Sequence, residues 1–241
     1  YFSTACDAAS VEDLELIEVP FYKVASRDLT NLPLLECIAS TGKGVVLSCG
    51  MDGLAEIEQA LQTIFRFHRQ VVLLQCTSAY PASDKDVNLR AMDTLRERFG
   101  VPVGYSDHTL GSAISLAAVA LGAVMIEKHL TLDRGQKGSD HACSLTVDEL
   151  PGFVADIRRV QMALGDGVKR VPESVAAAKQ KLGRSLVSKC TIPRGVRVTE
   201  EMLCLKSAGQ GLPWHQRQQL VGRISRREIP ADCCLLPADV E

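Results

Sequence analysis

The sequence lacks long hydrophobic segments, long runs of one charge sign and any C-x-x-C motif. The apolar stretch at residues 113–123 is far shorter than the ~20 residues that a membrane span needs, which predicts a buried helix and no membrane partner. The 27 basic and 29 acidic residues are scattered and give a formal net charge of -2. This balance argues against a nucleic-acid partner.

The nine cysteines are an odd number and lie among apolar neighbours. Without the spacing of a metal or redox motif, they predict reduced thiols in a cytoplasmic protein. With 46% hydrophobic and 23% charged residues, the composition is that of an ordinary globular protein.

Short β-branched apolar runs alternate with amphipathic stretches from residue 2 to about residue 165, which is typical of βα units around a parallel sheet. The pattern predicts strands at residues 2–6, 22–25, 45–49, 71–76, 103–105 and 124–128. It predicts helices at residues 11–18, 33–40, 54–67, 88–99, 111–121 and 147–164. An open doubly wound α/β sheet of six strands and an incomplete closed barrel both fit this pattern.

The chain begins at Tyr1, directly before the first predicted strand. A (β/α)8 TIM-type barrel has eight strands. We therefore expect a barrel that lacks its first two βα units and a chain that is incomplete at its N-terminus.

The pattern changes after residues 165–167, where a short predicted helix at residues 173–182 precedes short strands separated by glycine and proline. These features predict two domains, a partial barrel at residues 1–167 and a small β-rich module at residues 168–241. A module of this size usually needs a larger partner for stability.

Two histidines, His108 and His129, follow consecutive predicted strands. The carboxyl ends of neighbouring parallel strands lie together, and ligands bind there in α/β folds. Neutral imidazoles are common ligands of divalent metals, so the pair predicts a metal site that substrate completes. A pair of structural, hydrogen-bonded histidines is the alternative.

Two carboxylates lie near these histidines in the sequence. Asp107 is expected to cap the helix that begins near Leu110, with the orientation of a metal ligand as the alternative. Asp140 lies in a glycine-containing loop. It is a candidate to hydrogen-bond to a metal-ligating side chain without contacting the metal itself.

A ring of hydroxyls and one cation is predicted at the strand ends, formed by Lys23, Ser26, Ser48, Thr77, Ser78 and Ser106. Fixed donors of this kind bind a small phosphorylated or carboxylated anion well. Ordinary turn chemistry is one alternative. Lys23 as a Schiff-base nucleophile of an aldolase is another.

Several motifs resemble the sialic acid synthases: Tyr22-Lys23-Val24-Ala25-Ser26, Gln75-Cys76-Thr77-Ser78-Ala79-Tyr80-Pro81, Gly104-Tyr105-Ser106-Asp107-His108-Thr109 and Glu127-Lys128-His129-Leu130-Thr131. Near the C-terminus, Lys181-Leu182-Gly183-Arg184-Ser185 and Ile192-Pro193-Arg194-Gly195 resemble the antifreeze-like (SAF, β-clip) domain that ends these enzymes. The resemblance covers nearly the whole chain in the family's order.

The resemblance implies a metal-dependent condensation of phosphoenolpyruvate with N-acetylmannosamine or its 6-phosphate, which gives N-acetylneuraminate or its 9-phosphate and inorganic phosphate. It implies that His108 and His129 hold Mn or Mg and take part in catalysis together with Asp140. A related synthase that makes KDN, legionaminate or pseudaminate is one alternative. An inactive truncated barrel that acts as a binding or dimerising protein is another.

The resemblance also assigns substrate-binding positions. It places Thr4, Lys23, Ser26, Ser48, Ser78 and Ser106 around phosphoenolpyruvate, and it places Tyr80 and Asp140 beside the sugar. It implies a homodimer in which each SAF domain covers the barrel of the other subunit. The family's first two strands, which carry a glutamate and a Lys-Phe-Gln segment near the substrates, have no counterpart in this chain.

Overall fold

The computed structural model describes residues 1–241 and divides into two units, Tyr1–Gly167 and Val168–Glu241. The first unit is built on a curled, parallel, five-stranded sheet in the order β1-β2-β3-β4-β5. Its strands are β1 (Phe21–Val24), β2 (Gly44–Ser48), β3 (Val71–Cys76), β4 (Val103–Asp107) and β5 (Ile126–Lys128). The α/β class is therefore confirmed.

Helices alternate with these strands, as the sequence predicts. They are α1 (Ala8–Leu16), α2 (Leu32–Ser40), α3 (Leu54–Phe65), α4 (Ala91–Phe99), α5 (Ala113–Ala120) and α6 (Leu150–Leu164). Two short strands, β6 (Leu130–Thr131) and β7 (Leu145–Thr146), pair with each other before α6. None of the helices combines the length and apolar character that crossing a membrane requires.

The strand predicted at residues 2–6 is wrong. Only Thr4 makes a β-bridge in this segment, parallel to Lys23 of β1. The chain turns into α1 immediately afterwards, because the Asp7 side chain caps the helix by accepting from Ser10 N at 2.7 Å. Too few residues remain for a ladder, but the bridge still places Thr4 at the sheet edge.

Two predicted helix starts also shift. The helix predicted from residue 88 begins at Ala91, because Asn88 adopts a left-handed backbone with φ 47°. The helix that Asp107 is expected to cap begins at Ala113, six residues further on, after Ser112. Asp107 is therefore not a helix cap, and its actual partners are described below.

Apolar side chains fill the space between the sheet and the helices. Strands β2 and β3 carry mostly Val and Leu that are buried on both faces, as expected for a covered parallel sheet. From the helices, Leu35, Ile38, Leu61 and Ile64 are almost fully buried in the same core. The strands are thus packed on both faces, and their carboxyl ends lie at the edge of this core.

One ion pair on this unit predicts a pH-dependent stability. Hydrogen bonds from Lys43 and Tyr22 lower the pKa of the Glu15 carboxyl below its ordinary value. A lowered folded-state pKa stabilises the fold above the unfolded value near 4.5, and this contribution disappears as pH falls through the folded-state pKa. We expect Glu15→Gln to cost less than about 1 kcal/mol at pH 7, because the pair is partly exposed. Urea unfolding should show that this difference shrinks towards pH 3; a difference that is constant with pH would contradict the assignment.

The second unit has its own small core. It contains α7 (Ala176–Leu182) and an antiparallel pair formed by β8 (Ser185–Ser188) and β9 (Leu203–Lys206). Isolated antiparallel bridges, such as Ile192 with Ile229, connect its loops. The buried core residues are Leu186, Ile192, Val198, Leu203, Leu220, Ile229, Leu235 and Val240.

Candidate active site

A cavity of about 320 Å³ lies at the carboxyl ends of the parallel strands. Its lining is rich in polar and ionisable groups: Thr4, Lys23, Ala25, Ser26, Ser48, Cys76, Tyr80, Ser106, His108, Glu127, Lys128 and His129. Polar groups that converge in a concavity at this end of an α/β sheet are the usual basis of a ligand site.

His108 and His129 adjoin each other in this cavity, with ring centroids 5.2 Å apart. His108 Nδ1 lies 2.9 Å from the carbonyl oxygen of Thr77. Because a carbonyl only accepts hydrogen bonds, Nδ1 carries a proton in this contact. In the neutral ring this selects the tautomer whose Nε2 lone pair can ligate a metal or accept a proton.

The surroundings of His129 favour its neutral form. Burial lowers its pKa, and the nearby His108 ring lowers it further. The Asp140 carboxylate, whose Oδ2 lies 3.9 Å from His129 Nδ1, raises this pKa and partly opposes the shift. The Tyr80 ring packs against both imidazoles, with centroids 4.2 Å from His108 and 5.6 Å from His129.

A lysine and a glutamate face each other on the sheet side of the cavity. Lys23 Nζ donates to Val24 O at 3.0 Å and lies 3.6 Å from Glu127 Oε2. Ser106 Oγ donates to Glu127 Oε1 at 2.7 Å. Burial lowers the pKa of Lys23, although Glu127 opposes this shift. The cavity thus has both a cationic and an anionic group within reach of one ligand.

The hydroxyl of Ser48 is the clearest indication of a missing polar ligand. This side chain is 2% exposed, lines the cavity and has no hydrogen-bond partner. Leaving a buried polar group unpaired is costly, so such groups in native proteins usually have a partner. Ser26 differs, because its Oγ accepts from Gly50 N at 2.9 Å.

The structure brings eight of the eleven predicted site residues to one cavity: Thr4, Lys23, Ser26, Ser48, Tyr80, Ser106, His108 and His129. Ser78 lines a neighbouring cavity, which shares Thr4, Ser26 and Tyr80 with the first. Asp140 lies outside the lining but next to His129. Thr77 does not join the predicted ring, because its hydroxyl donates to Asp86 O and its side chain lines a different cavity.

Sequence reasoning missed Glu127, Cys76 and Lys128. Glu127 could have been found, because alternate residues of a strand share a face and Glu127 lies two positions before His129. Cys76 Sγ lies 3.6 Å from His108 Nδ1, and burial raises the pKa of its thiol. No sequence signal separates Cys76 from the other buried cysteines.

The site offers a metal ion few protein ligands. No group of three or more His, Cys, Asp or Glu side chains in the structure is arranged to hold a metal. A cation here would take two imidazoles and leave its other positions to water or substrate, which is compatible with an open catalytic site.

Comparison with known proteins gives one consistent family. The NeuB family matches residues 1–169, and the SAF domain matches residues 183–241. The N,N'-diacetyllegionaminic acid synthase of Campylobacter jejuni is 40% identical over 235 residues, which cover 96% of this chain and 70% of that protein. The human N-acetylneuraminate-9-phosphate synthase is 41% identical over 225 residues, which cover 92% of this chain and 63% of that protein.

Solved structures agree with this result. The N-acetylneuraminic acid (sialic acid) synthetase of Leptospira borgpetersenii superposes with a TM-score of 0.68 at 38% identity, covering 73% of this chain and 61% of that one. The chain thus spans about two thirds of the length of the relatives that it matches. Because the family match extends over most of the chain and the sequence identities are high, the chain belongs to the NeuB family and carries a SAF domain.

Proposed function

We propose that the protein is a sialic acid synthase that condenses phosphoenolpyruvate with an N-acetylmannosamine-type sugar. The barrel of the whole enzyme would be a (β/α)8 barrel, of which this chain supplies the later units. The observation that carries the proposal is the cavity of a NeuB-family chain in which a buried lysine, an unpartnered serine hydroxyl and two adjoining imidazoles meet.

Phosphoenolpyruvate fits the lysine and serine side of the cavity. It carries a phosphate and a carboxylate, and Lys23 with the hydroxyls of Thr4, Ser26, Ser48 and Ser106 can donate to these anionic groups. Binding would give Ser48 Oγ the partner that it lacks. Ser78, in the neighbouring cavity, is assigned to the same substrate.

The reaction forms one carbon–carbon bond and one carbon–oxygen bond, the latter from water, and it breaks the carbon–oxygen bond that joins phosphate to C2. C3 of phosphoenolpyruvate attacks the aldehyde carbon of the open-chain sugar, whose oxygen takes up a proton. Water adds at C2, and phosphate leaves with the oxygen that joined it to C2. Glu127, which accepts from Ser106 and faces Lys23, is placed to accept a proton from the attacking water.

His108 and His129 are the residues that would hold a divalent cation, Mn or Mg. The fit rests on their adjacent rings, on the carbonyl of Thr77 that fixes the His108 tautomer and on the lowered pKa of His129. When bound, the cation would supply Lewis-acid polarisation of the sugar aldehyde. Tyr80 and Asp140 lie beside these histidines and are assigned to the sugar.

A homodimer is part of the proposal. Residues 1–167 carry 14 basic and 22 acidic side chains, whereas residues 168–241 carry 13 basic and 7 acidic ones. This opposite charge favours contact between the small unit of one subunit and the barrel unit of another. It supports the arrangement in which each SAF domain covers the partner's site.

The reaction is tested with the full-length protein, phosphoenolpyruvate and a set of aldehyde sugars. We expect phosphate release only when a divalent cation and an accepted sugar are both present, with one nonulosonic acid formed for each phosphate released. The set contains N-acetylmannosamine, its 6-phosphate, mannose 6-phosphate and the precursors of legionaminic and pseudaminic acid. Phosphate release without a sugar would exclude a sugar-dependent condensation. No product with any sugar would exclude the synthase and favour a binding protein.

A further inference from the structure

Strands β4 and β5 meet in three consecutive cross-strand pairs at the edge of the cavity. In the parallel register, Ser106 lies opposite Glu127 and Asp107 lies opposite Lys128. The next residues along the two strands are His108 and His129. The register of these two strands therefore fixes which side chains meet in the cavity and how far apart the two imidazoles lie.

The last of the three pairs, Asp107 with Lys128, is a buried ion pair. Lys128 Nζ lies 2.9 Å from Asp107 Oδ2, and the two side chains are only 3% and 0% exposed. Ser115 of α5 donates to Asp107 Oδ2 at 2.5 Å, and Thr109 donates to Oδ1 through its backbone N at 2.8 Å and its Oγ1 at 2.7 Å. Lys128 Nζ also donates to Thr109 O at 2.8 Å. Both charges are therefore paired and hydrogen-bonded within a buried network.

The network holds the chain on both sides of His108 and directly before His129. Asp107 and Thr109 flank His108, and Lys128 precedes His129. A slip of one residue between the strands would turn Glu127 and His129 to the opposite face. Apolar residues in place of the ion pair could hold the strands together equally well, but they would not select one register. Selection of a register is the best-attested use of a buried polar pair.

We propose that Asp107 and Lys128 are positioning residues for the reaction, because their ion pair fixes the register of β4 against β5 and hence the separation of His108 and His129. The inference rests on the proposed function. Neither residue is assigned a chemical step; both act through the histidines that follow them in the sequence.

The test compares two variants of the full-length protein with the unmodified protein. The double variant Asp107→Asn/Lys128→Met removes both charges without leaving one of them buried alone, so we expect it to fold. The control Lys43→Met breaks the ion pair with Glu15, which lies outside the cavity. Circular dichroism and thermal melting establish that each variant is folded.

Three properties of the site are then measured. We expect the Mn²⁺ affinity of the double variant, measured by electron paramagnetic resonance, to fall by about 10- to 100-fold. A loss of this size is typical when residues that orient the metal ligands are replaced. We expect kcat to fall by a similar factor, with a smaller change in the KM for phosphoenolpyruvate. The imidazole NMR signals of His108 and His129 should shift in the metal-free protein. Lys43→Met should change none of these properties.

A folded double variant whose Mn²⁺ affinity, kcat and imidazole signals all match the unmodified protein would overturn the proposal. If the double variant does not fold, Ser115→Ala keeps both charges and removes one donor to Asp107. It should shift the same imidazole signals, and unchanged signals would also overturn the proposal. The NMR comparison needs neither metal nor substrate, so it remains decisive even if the unmodified protein forms no product.

Discussion

Replacement of His108 or His129 by alanine is expected to lower kcat on the order of 10³-fold in the full-length protein, with the fold intact. Each replacement removes one of the two imidazoles that would hold the cation, and with it the polarisation of the aldehyde at the moment of bond formation. Loss of one preorganised electrostatic group in a closed site typically costs 10²–10³ in rate. Because these variants should also lose the cation, we expect their rate loss to lie at the upper end of this range. Steady-state phosphate release at saturating Mn²⁺ is the measurement.

His68 provides the matched control. It lies in the loop before β3, at the opposite end of the strand from the cavity, and its Nδ1 accepts from Gln70 N. His68→Gln should leave kcat within about twofold, since it is far from the chemistry. Full activity of a His108→Ala or His129→Ala variant, or of an enzyme stripped rigorously of divalent metal, would remove the metal role assigned to the pair.

Replacement of Lys23 by methionine is expected to lower kcat/KM for phosphoenolpyruvate by about 10²–10³-fold. Lys23 is a buried lysine of the cavity, and methionine has a similar shape but cannot donate to phosphate or carboxylate. Its loss would also leave Glu127 without its positive neighbour 3.6 Å away. Initial rates at varied phosphoenolpyruvate concentration separate the change in KM from the change in kcat.

The exposed Lys85 provides the control, because it lies outside the cavity lining and Lys85→Met should behave as the unmodified protein. The same lysine distinguishes the aldolase alternative. In the synthase, borohydride should not trap substrate on Lys23, because no Schiff base forms. Borohydride trapping on Lys23 would replace the proposed mechanism with covalent catalysis.

The positions of the main site residues follow from the sequence because strand ends can be predicted. Lys23, Ser48, Ser106 and His108 each lie in or directly after an apolar β-branched run, and parallel strands bring such positions to one edge. The alternation of apolar runs with amphipathic stretches along the sequence is strong enough to predict all five strands of the parallel sheet. The strand prediction at residues 2–6 is wrong because a short apolar run before a good helix cap can either extend as a strand or lead directly into the helix. Periodicity does not distinguish these two outcomes.

The partners of individual side chains could not be predicted in the same way. Asp107 resembles a helix cap locally, but its main partner, Lys128, lies 21 residues further along the chain. Pairing across neighbouring strands depends on the register, and the register depends on the packing of the whole sheet. The neighbouring cavity that contains Ser78 likewise reflects the path of the loop after β3, which the composition of that loop does not specify.

The contact between His108 Nδ1 and Thr77 O has a consequence for how this site tolerates mutation. The acceptor belongs to the main chain, so replacing the side chain at position 77 leaves it in place as long as the loop keeps its path. The proton position on His108 is therefore encoded by backbone geometry rather than by the identity of a neighbouring residue. Sequence drift at position 77 can proceed without altering the imidazole, whereas an insertion or deletion between β3 and Tyr80 would move the carbonyl away and disable an otherwise unchanged histidine.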